Sequence, residues 1–390
     1  MQEPLRIALA LSGGGARAIA FHLGCLRALH EVGLLRRVSL ISSVSGGSVL
    51  AALYCSHDGD FPSFDRTVQK ILSRGFVRPA LVAAFTTTEG LKAGCVAVVL
   101  ACDRFAALIL RWILKLCKTK VGPQARWLNE SPIRRSASRT TILRRTFSEL
   151  FNGRMLSELR GDRPRLVIVA CELRAKAAFY FTAEKSHCWR YGSAESNSIE
   201  IAHAVAASAS YPVALPALDE KMIFTKNGVG TEHRVILTDG GVYDNLGLAP
   251  LWPDRDPEVS LDFGTYDCII ACRAGYSLEI SSPSAFMYSR MAAAFESIHA
   301  RSQNLSIVRL FDLKRSGRLK LMLLPYLGQD DSRLACPSQT LVPREAISNY
   351  PTDFSSMSTE WIDLLSRRGE QLVHSLLAEH WSDCDGRKLS

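Results

Sequence analysis

A strand, a turn of small residues and a helix follow one another twice within the first 55 residues of the chain. The run "LRIALALS" predicts a buried strand, Gly13–Gly15 form the turn, and "ARAIAFHLGCLRALHEVG" carries apolar residues near helical spacing. A second apolar run then reaches the small residues Ser43–Gly47 and continues as a helix rich in Ala and Leu. Two such units in succession predict an α/β fold with a parallel sheet.

Size and composition limit the classes of protein to which the chain can belong. Its 390 residues and 47% hydrophobic content are sufficient for a large buried core, and its net charge of +9 suits an acidic partner such as an anionic membrane surface. We expect no nucleic-acid partner. The N-terminus has neither a basic start nor a small-residue cleavage site, so we predict no signal peptide. Eleven cysteines at irregular spacing predict reduced thiols in a cytoplasmic protein, without a metal site.

The middle of the chain predicts a helical insertion within the sheet. Residues 56–162 lack strand signals. Their most apolar stretch, 91–122, is interrupted by Asp103, Arg104 and Arg111 before it is long enough to cross a membrane. We therefore expect a buried or interfacial helix there, as part of an insertion or lid that lies over the sheet.

Strand signals return after the insertion. The runs "PRLVIVACEL", "AFYFT", "HRVILTDGG" and "YDCIIACRAG" predict strands, and "IEIAHAVAASAS" predicts a helix between them. Residues 284–390 are expected to form an extension packed on the core, with strands at "LSIVRLFDL" and "RLKLMLLPYL" and a closing amphipathic helix. Because the insertion splits the strands of one sheet, we predict a single domain over residues 1–390.

The first glycine turn fits two kinds of site that present backbone N–H groups to negative charge. Gly13, Gly15 and Ala18 satisfy the dinucleotide-binding pattern G-x-G-x-x-G/A between a strand and a helix. A nicotinamide site also needs a carboxylate at the end of the second strand, which here ends in "LISSVSGG" without one. A Walker A loop is excluded because no G-K-[ST] follows at Arg17. The alternative is an oxyanion hole, which the glycines alone do not establish.

The second turn is typical of a nucleophile elbow, in which a serine lies on a sharp bend between small neighbours. "SVSGG" places Ser45 at the bend, with Ser43 and Gly47 two positions away; the alternative is an ordinary helix N-cap. A serine hydroxyl needs a base to become nucleophilic. Two candidates stay open: a histidine in the order Ser45, Asp239, His299, or Asp239 acting directly at the end of an apolar strand.

Three motifs in this order resemble those of the patatin-like phospholipase family. They are a glycine-rich loop, an elbow serine and an acid followed by glycines, which stand here as Gly13-Gly14-Gly15-Ala16-Arg17, Ser43-Val44-Ser45-Gly46-Gly47 and Asp239-Gly240-Gly241. A further block, "AASASYPVALPAL" at 206–218, is similar to the family's segment before the acid. The resemblance covers residues 5–55 and 164–275 and implies a three-layer α/β/α fold with a central, mostly parallel sheet.

The resemblance also implies a chemistry. Ser45 attacks an acyl ester and Asp239 accepts the serine proton, a dyad without histidine, while the N–H groups of Gly13–Gly15 hold the oxyanion. Arg17, in the first turn of the helix, orders the loop or meets an anionic head group; the alternative is an ordinary solvated charge on the helix. The implied activity is that of a phospholipase A or lysophospholipase on phospholipid or lysophospholipid, without a cofactor, at the periphery of the inner face of the membrane. The motifs specify no head group, activator or oligomer.

Two other functions stay open. An α/β-hydrolase-type esterase would use His299 in a Ser-Asp-His triad, although that fold places several strands before its nucleophile and here only two precede Ser45. A non-catalytic lipid-binding protein of the same fold has no need of a nucleophile and an acid together.

Three residues outside the motifs are also informative. Arg273 ends the strand after the acid, where relatives often carry a small or acidic residue, which leaves the polarity of the pocket open. His22 and His203 lie on apolar helical faces. We expect both to be core histidines rather than ligands.

Overall fold

A computed structural model describes residues 5–116, 137–159, 161–212, 214–256, 261–275, 282 and 284–381. The strands of the described chain are β1 (Ile7–Leu11), β2 (Val38–Val44), β3 (Arg165–Glu172), β4 (Ala177–Phe181), β5 (Lys185–Cys188), β6 (Gly192–Glu195), β7 (Leu218–Lys226), β8 (Val229–Asp239), β9 (Cys268–Cys272) and β10 (Leu321–Leu323). The α-helices are α1 (Gly15–Glu31), α2 (Gly46–Ser56), α3 (Phe61–Arg74), α4 (Val77–Thr86), α5 (Thr88–Leu116), α6 (Arg139–Leu150), α7 (Ile201–Ser208), α8 (Gly241–Asp244), α9 (Met287–Arg315) and α10 (Thr359–His380).

The strands form one mixed sheet with a parallel part and an antiparallel part. Its order is β10-β9-β1-β2-β3-β4-β5-β6-β7-β8, with an additional pairing of β3 and β8. Pairings from β10 to β3 are parallel, and those from β3 onward are antiparallel. Parallel neighbours need long crossovers, which the helices provide, whereas antiparallel neighbours need only short turns.

Side chains of the central strands alternate between two cores, one on each face of the sheet. Ile7, Leu9 and Leu11 of β1 lie in the larger core, with apolar residues of α1, α2 and α10. Ala8 and Ala10 lie in the smaller core, with residues from the C-terminal part of α9. The continuous apolar run of β1 therefore reflects burial on both faces. The predicted three-layer α/β/α fold is confirmed, as a mixed sheet with helices on both sides: the half from β10 to β3 is parallel, and the half from β3 to β8 is antiparallel rather than mostly parallel as expected.

Between α2 and β3 the described residues form helices and turns but no strand. The helices α4 and α5 carry many exposed apolar side chains, such as Phe85, which is 88% exposed, and Leu91, which is 71% exposed. Within the described chain no single helix has both the length and the hydropathy to cross a membrane; Val77–Thr86 and Thr88–Cys102 meet that criterion only as a pair bent by 82°. Residues 117–136 and 160 of the predicted insertion lie outside the described residues, as do the side chains that interrupt the apolar stretch.

One prediction for the C-terminal extension is wrong. Residues 305–313, expected to form a strand, belong to α9. Ile307, Leu310 and Leu313 recur at a spacing of three and pack in the smaller core. A short apolar run fits either period until its packing partners are known, which explains the error. Of the second predicted strand, the three residues of β10 pair with β9, and Tyr326 adds an isolated bridge to Arg273.

The predicted closing helix is present as α10 and packs closely on α1. A Cβ on Gly24 of α1 would lie 1.7 Å from the carbonyl oxygen of Ser366, and one on Gly369 of α10 would lie 2.2 Å from that of Phe21. The two helix backbones therefore touch, which ties the end of the chain to the helix that follows the first glycine turn. Residues 382–390 lie outside the described residues.

Candidate active site

Ser45 lies on a strained bend between β2 and α2. Its φ of 51° is in the left-handed region that residues other than glycine rarely adopt. The surroundings are crowded: a Cβ on Gly46 would lie 2.2 Å from the carbonyl oxygen of Gly15, and one on Gly47 would lie 2.4 Å from that of Leu11. Only glycine fits at these two positions, and the close packing holds the Ser45 side chain at the tip of the bend.

Ser208, at the end of α7, connects the bend to the rest of the site. The Ser45 N–H donates to the Ser208 hydroxyl oxygen at 2.9 Å, and that hydroxyl donates to the Val169 carbonyl of β3 at 2.6 Å. The Ser208 carbonyl accepts from the N–H of Gly240 at 3.2 Å. Ser43, which stands where the elbow pattern has a glycine, donates through its hydroxyl to a β3 carbonyl at 3.2 Å. Ser208 lies in the "AASASYP" block but carries no local signal that marks it as a site residue.

Asp239 reaches Ser45 because β2 and β8 approach the same edge of β3 from opposite directions. The parallel pairing places Val44 opposite Val169, and the antiparallel pairing places Asp239 opposite Ala170, the next residue of β3. Since β4 occupies the other edge of β3, the C-terminal ends of β2 and β8 meet end to end. The Ser45 hydroxyl lies close enough to the Asp239 carboxylate for a hydrogen bond that favours the ionised carboxylate.

The environment of Asp239 changes its acidity. Burial raises the pKa of Asp239 to about 7, against the opposing effect of hydrogen bonds from the Gly241 N–H and the Ser45 hydroxyl. The Gly241 N–H lies 2.7 Å from Asp239 Oδ1. The turn is also tight at Gly240, where a Cβ would lie 2.1 Å from the Val169 carbonyl oxygen. A carboxylate with a pKa near neutrality is suited to act as a general base.

The glycine loop offers two backbone donors beside Ser45. The loop contacts the serine directly, since a Cβ on Gly13 would lie 3.3 Å from Ser45 Cβ. The Gly13 N–H is already engaged, because it donates to the Asn245 carbonyl at 3.0 Å. The N–H groups of Gly14 and Gly15 have no partner in the described part of the chain, and both lie at the N-terminal, positive end of α1. Of the three glycines predicted as donors, Gly14 and Gly15 are therefore available for an oxyanion.

Arg17 links the glycine loop to residues 348–354, which lie across it. This side chain is only 7% exposed and donates through Nη1 to the carbonyl of Tyr350 at 3.2 Å. Burial lowers the pKa of Arg17. The same segment accepts a second bond, from the Ala16 N–H to the Asp353 carbonyl at 2.7 Å. Residues 348–354 are thus held across the beginning of α1.

The histidines lie apart from the serine and the acid. His299 stacks on Phe295 with ring centroids 6.0 Å apart, and no hydrogen bond of the described residues joins it to Ser45 or Asp239. Burial, together with the nearby positive charge of Arg273, lowers its pKa. As predicted, His22 and His203 are buried and bonded, His22 to the Ser12 carbonyl at 3.0 Å and His203 to Glu220 at 2.8 Å.

Ser45, Asp239 and the glycine loop open into one cavity of about 1110 Å³. One wall is apolar and comes mainly from α4 and α6, with Val77, Ala80, Leu81, Ala84, Ile142 and Leu143. Another wall is polar and includes Arg273, His299 and Gln303. A cavity with a long apolar wall and a few polar groups beside a nucleophile suits an amphiphilic ester.

Comparison with known proteins supports this picture of the fold. Residues 9–252, well over half of the chain, match the family model described as Patatin-like phospholipase. Two solved structures of human GIVD cytosolic phospholipase A2 are similar in fold at 14% identity: the protein alone, with a TM-score of 0.54, and its complex with methyl gamma-linolenyl fluorophosphonate and terbium chloride, with a TM-score of 0.51. The likeness covers 96% of this chain but only 59% and 58% of those chains. No curated protein sequence matches the chain.

Proposed function

The chain belongs to the patatin-like phospholipase family, whose members hydrolyse lipid esters, and from that premise we propose that it is a serine acyl hydrolase of membrane lipids. The observation that carries the proposal is that the Ser45 hydroxyl lies within hydrogen-bonding reach of the Asp239 carboxylate and that both residues line one large cavity. Acyl transfer requires a nucleophile, a base and donors for the oxyanion. In this proposal Ser45 and Asp239 supply the first two, and the N–H groups of Gly14 and Gly15, which have no partner among the described residues, supply the third.

The proposed reaction uses the Ser45–Asp239 dyad in two steps. Asp239 accepts the hydroxyl proton while Ser45 Oγ attacks the ester carbonyl, and the resulting oxyanion is held by the N–H groups of Gly14 and Gly15. The tetrahedral intermediate collapses to an acyl-enzyme, and the departing alcohol takes the proton from Asp239. Water then attacks the acyl-enzyme with Asp239 again as base, which releases the fatty acid and restores Ser45.

We also propose peripheral contact with a membrane through the helices α4 and α5. Leu81 lines the cavity and is itself 54% exposed, and Phe85 lies one turn further along the same helix. An apolar helix that borders the cavity and faces outward provides a path for an acyl chain from a bilayer to Ser45. In this proposal residues 56–162 are an insertion or lid and 284–390 an extension within a single domain.

The proposed location is the cytoplasm, at the inner face of the membrane. All nine cysteines of the described residues are free, which fits a reducing compartment. The net charge of +9 fits contact with anionic lipid.

The function is tested by incubating wild-type protein, Ser45→Ala and Asp239→Asn with mixed bilayers and measuring the fatty acids and lysolipids released. We expect both variants to lose about a thousandfold in rate, since each removes one half of the dyad. Ser56→Ala is the matched control, because its hydroxyl lies at the far end of α2 and bonds to the Ala52 carbonyl at 2.7 Å. Accumulation of lysolipid identifies a phospholipase A, and its consumption identifies a lysophospholipase. Full activity in both dyad variants would contradict the proposal.

A fluorophosphonate provides a second test, which separates an enzyme from a lipid-binding protein of the same fold. An activated Ser45 attacks the reagent and becomes covalently labelled, whereas a pure binding protein has no activated serine. We expect labelling of wild type and Ser56→Ala, and none of Ser45→Ala, by mass spectrometry of the intact protein.

A further inference from the structure

One wall of the cavity carries buried polar atoms that lack hydrogen-bond partners in the described part of the chain. They are Arg273 Nε, His299 Nε2 and Gln303 Oε1. His299 and Gln303 are four residues apart on α9 and so lie on one face of that helix. Buried polar atoms are nearly always paired in folded proteins. Three unpaired atoms that line the same cavity therefore indicate a polar ligand.

Arg273 supplies a positive charge to this wall. Its guanidinium stacks over the Tyr326 ring at 4.5 Å and makes no ion pair with a carboxylate of the described residues. Stacking occupies the face of the guanidinium and leaves the N–H groups at its edge for an acceptor. Burial lowers the pKa of Arg273, but an arginine remains charged at neutral pH. The ligand that fits the wall is therefore an anion.

The position of Arg273 relative to Ser45 is set by the sheet. Arg273 follows β9 and pairs with Tyr326 in a parallel bridge, and the next residue, Ala274, donates its N–H to Ser12 Oγ at 2.9 Å. Only β1 separates β9 from β2. Two strand spacings are about 10 Å. A glycerophosphate unit is long enough to place its phosphate at Arg273 while its acyl ester carbonyl lies at Ser45.

The three side chains together suit an oxyanion with several acceptors. The guanidinium provides charged N–H donors, the His299 ring presents an N–H, and the Gln303 amide presents its NH₂ when rotated. The other charged residues that line the cavity are Arg17, Arg139, Asp239, Glu296 and Asp353. Arg17 is bonded to Tyr350, and Asp353 accepts from the Ser355 N–H at 3.0 Å, so both are engaged within the protein.

We propose that Arg273, with His299 and Gln303, binds the phosphate of a lipid whose acyl ester lies at Ser45. This inference rests on the proposed function and names its substrate class: lipids that carry a phosphate close to the ester, in preference to neutral glycerides with the same acyl chain.

The test compares kcat/KM for a 1-acylglycerol 3-phosphate and for the monoacylglycerol of the same chain length. Wild type is expected to favour the phosphate lipid by tenfold or more, because a charge-assisted bidentate contact contributes at least about that factor. Arg273→Gln is expected to lower this selectivity ratio about tenfold, mainly through KM, and Arg273→Lys to restore part of it. Arg290→Gln is the matched control, since Arg290 is exposed on α9 and does not line the cavity.

Inhibition by small anions identifies the source of the phosphate. Glycerol 3-phosphate is expected to compete with monoacylglycerol hydrolysis in wild type and to do so at least tenfold more weakly in Arg273→Gln. If inorganic phosphate alone binds, while the two lipids are hydrolysed equally well, the head-group proposal is wrong. The rate at which a fluorophosphonate labels Ser45 in Arg273→Gln shows whether that variant has folded around an intact dyad.

The outcomes also separate this inference from the proposed function. An unchanged selectivity ratio in Arg273→Gln, with Ser45→Ala still inactive, would overturn the phosphate site and leave the hydrolase in place. Full activity of Ser45→Ala would overturn the hydrolase itself.

Discussion

The corner around Ser45, formed by the turns at residues 45–47 and 239–241, differs in packing from the helices α4 and α5. At the corner, an added methyl group on Gly46, Gly47 or Gly240 would collide with a carbonyl oxygen at 2.1 to 2.4 Å. On α5, Gly94 has nothing within 4 Å, and Phe85 of α4 is almost wholly exposed. Dense packing holds reacting groups in one geometry, whereas exposed apolar surface is available to a partner outside the chain. The two regions meet at the cavity, so the geometry of the reaction and access to it are built separately.

The largest expected effect is at the corner. Asp239→Asn keeps the shape of the side chain but cannot accept the serine proton, so we expect kcat to fall by about a thousandfold or more. Vesicle binding, which we assign to α4 and α5, is expected to stay at the wild-type level. Release of labelled fatty acid and co-sedimentation with vesicles measure the two properties. A parallel loss of both would show that the regions are not separate.

A second pair of variants compares packing in the two regions. Gly46→Ala forces a methyl group against the Gly15 carbonyl, and we expect it to lower the free energy of unfolding by about 3 kcal/mol. Gly94→Ala meets open space within a helix, and we expect it to raise that free energy by about 0.5–1 kcal/mol. Urea denaturation measures both, and equal effects would remove the contrast in packing.

The Asp239 carboxyl group also makes the stability of the protein depend on pH. The folded-state pKa of Asp239, about 7, exceeds the unfolded value of roughly 3.9, so between these values the folded state binds the additional proton. Its contribution to stability therefore falls as pH rises from about 4 to 7. An asparagine side chain carries no charge, so we expect the free energy of unfolding of Asp239→Asn to exceed that of wild type by about 4 kcal/mol at pH 8 and to equal it below pH 4. Thermal or urea unfolding at the two pH values measures this, and the opposite sign would contradict the buried charge.

Activity is expected to follow the ionised form of Asp239. Because the base must be deprotonated, kcat/KM should fall about tenfold per pH unit below 7 and level off above it. Binding of Ser45→Ala protein to vesicles over pH 6 to 8 is the control, since Asp239 takes no part in it. A flat rate profile across this range would mean that another group limits the reaction.

The smallest expected effect is on the exposed surface of α4. Phe85→Asp places a charge on the surface that we assign to the membrane, and we expect about tenfold weaker binding to vesicles, which corresponds to partial immersion of one aromatic ring. Val229→Asp is the matched control, because Val229 is also exposed and lies at the start of β8, next to the β7–β8 turn. Similar losses in both variants would indicate a general effect of charge rather than a docking surface.

The two halves of the sheet also differed in how well they could be predicted. The parallel strands are apolar and alternate with helices, so their pattern is local and was sufficient to predict them. The strands β5 and β6, "KSHC" and "GSAE", are short and polar, and they exist because their neighbours pair with them. The β7–β8 hairpin carried a signal that was missed: Asn227 and Gly228, with φ of 52° and 79°, form the Asn-Gly turn typical of tight hairpins.

The site shows the same division between local and distant information. Ser45 and Asp239 could be singled out because each stands in a short motif with its own glycines. The bonds of Ser208 to the elbow, of Asn245 to Gly13 and of Tyr350 to Arg17 join segments far apart in the chain. No local pattern specifies such contacts, and for this reason the division of labour among the three loop glycines could not be predicted.

The end-to-end meeting of β2 and β8 on β3 makes one strand the common reference for Ser45 and Asp239, the proposed nucleophile and base. A slip of one residue in either pairing would turn the side chain concerned to the opposite face of the sheet. The distance from Ser45 to Asp239 therefore depends on two pairing registers and not on the length of chain between them. A change in the number of residues between β4 and β6 would therefore leave the reaction centre in place, whereas a change in α7 would not, because Ser208 accepts from the Ser45 N–H.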